Sequence, residues 1–118
     1  MAGHPEALAA HPTHEPSATD ALDYATIAEE ALQHGDYDRC ADALRFGVEC
    51  VRALGQRRGD EHLHVTIRSL VATVDQARVA FDAAQAPDDR GREAVVALRR
   101  TVAQVDDGVG ATAGRWYL

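Results

Sequence analysis

The segment LHVTIRSLVATVDQARVAFDAA, residues 63–84, decides the fold. Leu63, Ile67, Leu70, Val74, Ala77, Phe81 and Ala84 follow one another at alternating spacings of four and three. An α-helix turns about 100° per residue, so this alternation places all seven on one face. A strand would need a period of two, which these positions do not keep. The spacing predicts a helix capped by Asp60 and running to about Gln85, with Pro87 forcing the next break because proline cannot continue a helix from within.

Reading onward, Asp88 or Asp89 opens a fourth helix with the stripe Val95, Leu98, Val102, Val105 and Val109. Gly91 weakens its first turn, and Gly108, Gly110 and Gly114 are expected to fragment its end. Reading back, a first helix runs from Ser17 or Thr19 to His34, with the stripe Ala21, Ala25, Ala28 and Leu32 widened by Tyr24, Ile27 and Ala31. Ser17 has the hydroxyl of an N-cap, and Asp20 suits the positive end of the helix dipole. Gly35 ends that helix, since glycine takes the left-handed C-terminal conformation at little cost. Asp36 then caps the next helix at once, a junction so short that the two must form an antiparallel hairpin. The second helix, Tyr37 to about Leu54, carries Tyr37, Cys40, Leu44, Gly47 or Val48, and Val51. Gly47 is read as a point of close approach for the first helix, and Gly55 as the stop.

Four amphipathic helices with short connections predict an all-α fold, an antiparallel four-helix up-and-down bundle. Residues 1–16 read as a flexible, disordered tail broken by Pro5, Pro12 and Pro16, and residues 17–118 as a single helical-bundle domain. The stripes are built on alanine and valine, so the core is thin for its length. Stripes of this kind on the third and fourth helices also suit packing between chains, and a homodimer is expected. The chain finishes Arg115-Trp116-Tyr117-Leu118, and the three large apolar residues Trp116, Tyr117 and Leu118 are the candidate partner-binding residues if they do not fold back on the bundle.

The charge balance narrows the partners. The chain carries 19 acidic residues against 12 basic ones, a formal net charge of −7, and every basic residue is arginine. Nucleic-acid binding needs cations to displace counterions from phosphates, and an acidic domain repels a polyanion at long range. Arginines cluster at Arg52, Arg57 and Arg58 and again at Arg90, Arg92, Arg99 and Arg100, without interleaved aromatics. Nothing approaches the ~20 apolar residues of a membrane span, and no basic segment leads into an apolar one as in a secretory signal. A cytoplasmic protein is expected. Cys40 and Cys50 fall ten residues apart on one helix, ~15 Å of rise, which is beyond disulfide reach; they read as two buried thiols.

Site motifs are sparse. There is no Gly-rich phosphate loop, no G-x-S-x-G and no Cys-x-x-Cys. His62 and His64 are two residues apart and point ~200° away from each other on a helix, so they cannot share a metal ion. No cofactor or metal is expected.

Two resemblances attach to the hairpin AEEALQHGDYDRCADALRFGVECVRAL, residues 28–54. Ala28, Gly35, Asp36, Tyr37, Ala41 or Cys40, Leu44 and Gly47 resemble the small-and-aromatic pattern of a tetratricopeptide-type helix pair, a likeness covering residues 20–54 in a single copy. The same stretch is similar to the HEPN superfamily of small, often dimeric helical bundles. Ala28 to Tyr37 matches its A-x-x-x-L-x-x-G-D-Y hairpin, and Arg52 to Gly59 its following K-A-L-A-x-x-R-G turn. Catalytic members are metal-independent ribonucleases with an Arg-x(4–6)-His motif. The resemblance therefore implies candidate catalytic residues Arg57, Arg58, His62 and His64: four residues lie between Arg57 and His62, six between Arg57 and His64, and five between Arg58 and His64. In such a pair histidine moves the proton and arginine steadies the phosphate charge. The family places its pair in a late helix, whereas here it precedes the third of four. The expected function is non-catalytic, a bundle working by protein–protein contact with itself or another protein. The alternative is a HEPN-type ribonuclease of the toxin kind, with RNA as its partner.

Overall fold

The first helix begins where a side chain can replace the missing backbone acceptors. Ser17 Oγ accepts from the Asp20 amide at 3.1 Å while the Asp20 carboxylate accepts from the Ser17 amide at 3.0 Å, a reciprocal capping box. From there a computed structural model describes residues 17–58 and 61–115, with side chains at 17–57 and 61–105. It contains α1 (Ala18–Gln33), α2 (Tyr37–Arg58), α3 (Glu61–Ala83) and α4 (Pro87–Arg115). The expected tail at 1–16, the cap Asp60 and the terminal Trp116, Tyr117 and Leu118 lie outside the described residues.

The four helices form the expected all-α bundle. α2 packs against α1 and α3, and α4 packs against both as well. α2 and α4 also touch each other, whereas α1 and α3 make no packed pair among the described residues. The cross-section is thus a flattened lozenge with α2 and α4 across its short diagonal. Its core holds the predicted stripes: Ala21, Ala25, Ala28 and Leu32; Cys40, Leu44, Val48 and Val51; Leu63, Ile67, Leu70, Val74 and Ala77; Val95, Leu98, Val102 and Val105. No described helix is long and apolar enough to cross a membrane.

Gly55, read as a stop, and Gly91, read as a weak point, are contact points instead, and the close approach read at Gly47 is made to another helix. α2 does not end at Gly55 but continues to Arg58, and a Cβ at Gly55 would lie 2.6 Å from Ile67 Cδ1 of α3. At Gly47 the close neighbour is Leu98 of α4, not α1: a Cβ there would lie 2.5 Å from Leu98 Cδ2. Gly91 is buried in the first turns of α4, where a Cβ would meet Leu32 of α1 at 2.7 Å and Phe81 of α3 at 3.2 Å. Each glycine costs ~1 kcal/mol of helix propensity, which tighter helix packing offsets. α4 likewise keeps its helical backbone through Gly108, Gly110 and Gly114 to Arg115, and it begins at Pro87 itself, the first-turn position where a missing N–H costs nothing.

The two tight connections share one hydrogen-bond plan but not one residue type. After α1, the Asp36 amide donates to the Ala31 carbonyl at 2.8 Å and the Gly35 amide to Leu32 at 3.1 Å, with Gly35 at φ 72°. After α3, the Gln85 amide donates to Ala80 at 3.0 Å and the Ala84 amide to Phe81 at 3.4 Å, with Ala84 at φ 54° and Ala86 at φ 50°. Ala84, placed on the apolar stripe by spacing, is therefore an exposed turn residue. An L-residue in this region costs ~1–2 kcal/mol, part of which a glycine returns as unfolded-state entropy. Ala84→Gly is accordingly expected to stabilise the protein by about 0.5–1 kcal/mol, or ~3–6 °C in thermal midpoint. Gly35→Ala should do the reverse. An unmoved midpoint for Ala84→Gly would show that the turn carries no such strain.

Candidate functional site

The Arg and His residues singled out by spacing stand at the end of α2 and the start of α3. Arg57 and His62 are exposed, and Arg58 closes α2. The His62 carbonyl accepts from Thr66 Oγ1 at 3.2 Å. His64 lies one side of α3 from His62, as the ~200° separation requires. It lines an open groove of about 340 Å³ between the second half of α2 and the first half of α3. The lining takes in Arg52, Gln56, Ile67, Arg68 and Val71, but neither Arg57 nor His62. The groove thus brings His64 together with Arg52 and Arg68, while Arg57 belongs to the last turn of α2.

The local reason is helical register. Arg52 and Gln56 are four apart on α2, and His64 and Arg68 are four apart on α3, so each pair shares a face. Gly55 and Ile67 draw the two helices together beneath them. Ile67 is buried and Val71 half-buried, giving an apolar floor under a polar rim. Arg52 pairs with Glu49 at 3.8 Å, both side chains half exposed, a weak contact. No ion pair holds Arg68 among the described residues. The four-residue spacings were present in the sequence, but only the α2–α3 contact shows that the two pairs face a common groove.

Other polar groups serve the scaffold. Arg99 of α4 donates to Glu29 of α1 at 3.0 Å and to Thr26 at 3.5 Å; that hydrogen bond and its charge hold the Glu29 carboxyl below its usual range. Glu29 is thus an interhelix tie rather than simply solvated surface. Tyr37 Oη donates to Asp88 at 2.9 Å and its ring stacks on Phe81 at 5.1 Å, which fastens the starts of α2 and α4 to the end of α3. The Asp88 bond, followed by burial, raises the Tyr37 hydroxyl. His34 Nδ1 lies 2.8 Å from the Glu30 carbonyl at the end of α1. Cys40 and Cys50 are buried free thiols. Among the described residues, no three metal-ligating side chains converge.

One helix face differs from the rest. On α3, Val65, Ser69, Ala72, Gln76 and Val79 are all exposed and repeat at four-three-four-three spacing. This places them in a second stripe, turned away from the core. None is charged. The outer faces of α2 and α4, by contrast, carry the pairs Asp42–Arg45, Glu49–Arg52, Arg92–Asp89 and Arg90–Glu93. Gln76 and Val79 also line a groove of about 660 Å³ that runs past Ala80 and Ala86 to Arg90, so the stripe opens into a depression.

In comparisons with known proteins, the chain matches no family model, and no curated protein or solved structure is significantly similar to it. The HEPN and tetratricopeptide resemblances rest on the motif residues of the hairpin alone.

Proposed function

We propose that this chain is a non-catalytic assembly protein that works by protein–protein contact, first of all with a second copy of itself. The outward stripe of α3 carries this reading. In a chain of net charge −7, like charges oppose contact between copies over most of the surface. The uncharged stripe from Val65 to Val79 is where two copies meet with the least opposition from like charge. Val65 and Val79 are 61% and 62% exposed, so each has most of its apolar surface still to bury. The core supports the same reading, because α1 contributes chiefly Ala21, Ala25, Ala28 and Ala31 to it and buries little area per residue.

The stripe spans ~21 Å of helix, a small contact by the standards of stable dimers. Association is therefore expected in the micromolar range, ~10⁻⁵–10⁻⁶ M. In sedimentation equilibrium at tens of micromolar, the chain should run at twice its 12.7 kDa mass. Val65→Glu with Val79→Glu should return it to the single-chain mass with its helix content intact, since neither side chain is in the core. A wild-type monomer under these conditions would overturn the proposal. Removal of residues 116–118 tests the other expected contact: loss of the dimer on truncation alone would move the interface from α3 to Trp116, Tyr117 and Leu118.

A further inference from the structure

The groove between α2 and α3 differs in composition from two other grooves of the described residues. The one beside Val79 sets Asp75 against Arg90, and the one on α4 sets Asp89 and Glu93 against Arg92 and Arg100. Both linings carry the protein's own carboxylates beside the cations. Among the described residues, the lining of the α2–α3 groove has Arg52, Arg68, His64 and Gln56 and no carboxylate. On an acidic chain this is a local concentration of donors without an internal acceptor, and Glu49 reaches it only through the loose contact with Arg52.

We propose that this groove binds a small organic phosphate monoester. Arg52 and Arg68 approach from two helices and between them supply forked donors to a phosphate, which arginine matches better than any other side chain. Gln56 and His64 add donors that reach the remaining oxygens. Ile67 and Val71 form the floor that seats a compact apolar group on the ester oxygen. The volume fits a ligand of this size and lies at the small end of ligand sites. The net charge selects against a long polyanion, which would meet the acidic surface on either side, but not against one phosphate held within the groove. The site lies on the flank of α3 that faces α2, beside the outward stripe but sharing no residue with it, so its lining is supplied by one copy of the chain.

Phenyl phosphate is the test ligand, with benzoate and phenol as controls, added to the full chain and followed by amide chemical shifts at low and moderate salt. Saturable binding of phenyl phosphate is expected, with shifts centred on residues 52–56 and 64–71. Phenol and benzoate should bind at least about tenfold more weakly, because neither presents the tetrahedral dianion. Arg52→Gln and Arg68→Gln should each weaken binding about tenfold, and Arg78→Gln, an exposed arginine of the same helix outside the lining, should leave it unchanged. All three side chains are at the surface, so the variants fold. Absence of saturable binding, equal affinity for benzoate, or equal losses in all three variants would each overturn the proposal.

Discussion

Leu98→Ala should lower the unfolding free energy by about 3–4 kcal/mol and reverse the sign of a second substitution, Gly47→Ala. Leu98 is fully buried, and its methyl groups occupy the space over Gly47 where α2 and α4 cross the short diagonal of the bundle. Truncating it removes the burial of three carbons and leaves a cavity that helices on both sides are too well fixed to close. In the wild-type protein, Gly47→Ala would set a methyl 2.5 Å from Leu98 Cδ2 and 3.3 Å from Cδ1. Leu98 has no solvent into which to rotate, so overpacking of ~1–3 kcal/mol outweighs the ~1 kcal/mol gained in helix propensity. In the Leu98→Ala background the methyl enters vacant space, and the same substitution should stabilise by about 1 kcal/mol. Urea unfolding of the four proteins at one protein concentration measures the coupling. Additivity within about 0.5 kcal/mol would show that the two residues do not compete for space.

Raising the pH from 9 to 11 should destabilise the protein by a few kcal/mol, and most of that loss should vanish in a Cys40→Ala, Cys50→Ala variant. The alkaline range is unusually clear here because the chain has no lysine. Burial pushes the Cys40 thiol up to about 11, with Asp36 adding to it. Burial likewise pushes Cys50 up to about 11, helped by the carboxylates of Asp20 and Glu49. A thiol is neutral when protonated, and the folded state holds that proton more tightly than the unfolded chain, whose thiols titrate near 9.0. The stabilisation is therefore whole below pH 9 and is lost as pH rises through 11. At ~1.4 kcal/mol per unit, discounted for the water that reaches partway to the sulfurs, each thiol contributes on the order of 1–2 kcal/mol. Tyr24, raised chiefly by burial, and Tyr37, raised by its bond to Asp88, act in the same direction. Unfolding midpoints between pH 7 and 11 test this, and an equally steep fall in the double variant would exclude the thiols as its cause. Alkylation at pH 8 should be slow in the native protein and fast in urea.

Both expectations turn on residues whose type was plain in the sequence and whose role was not. The four-three stripe from Leu63 to Phe81, the capping pair Ser17 and Asp20, and the Gly35-Asp36 junction are local signals, and they determined by themselves that the chain forms four helices packed as neighbours. Periodicity also picked out the buried faces, since the side of a helix that is apolar has nowhere else to go. A glycine, however, leaves the same mark whether it ends a helix or admits a neighbour. Only the packing showed that Gly47, Gly55 and Gly91 receive Leu98, Ile67 and Leu32. The candidate site divides in the same way. Arg57, Arg58, His62 and His64 were chosen by separation along the chain, but helical phase sends His62 and His64 to different sides. The partners of His64 are set by which helix lies beside α3, a property of the bundle's cross-section rather than of any one segment. Sequence thus decided the elements and their inward faces, because those depend on near neighbours in the chain. Tertiary structure alone decided the α2–α3 groove and the uncharged outer stripe of α3, because both depend on which helix faces are left uncovered once the core has closed.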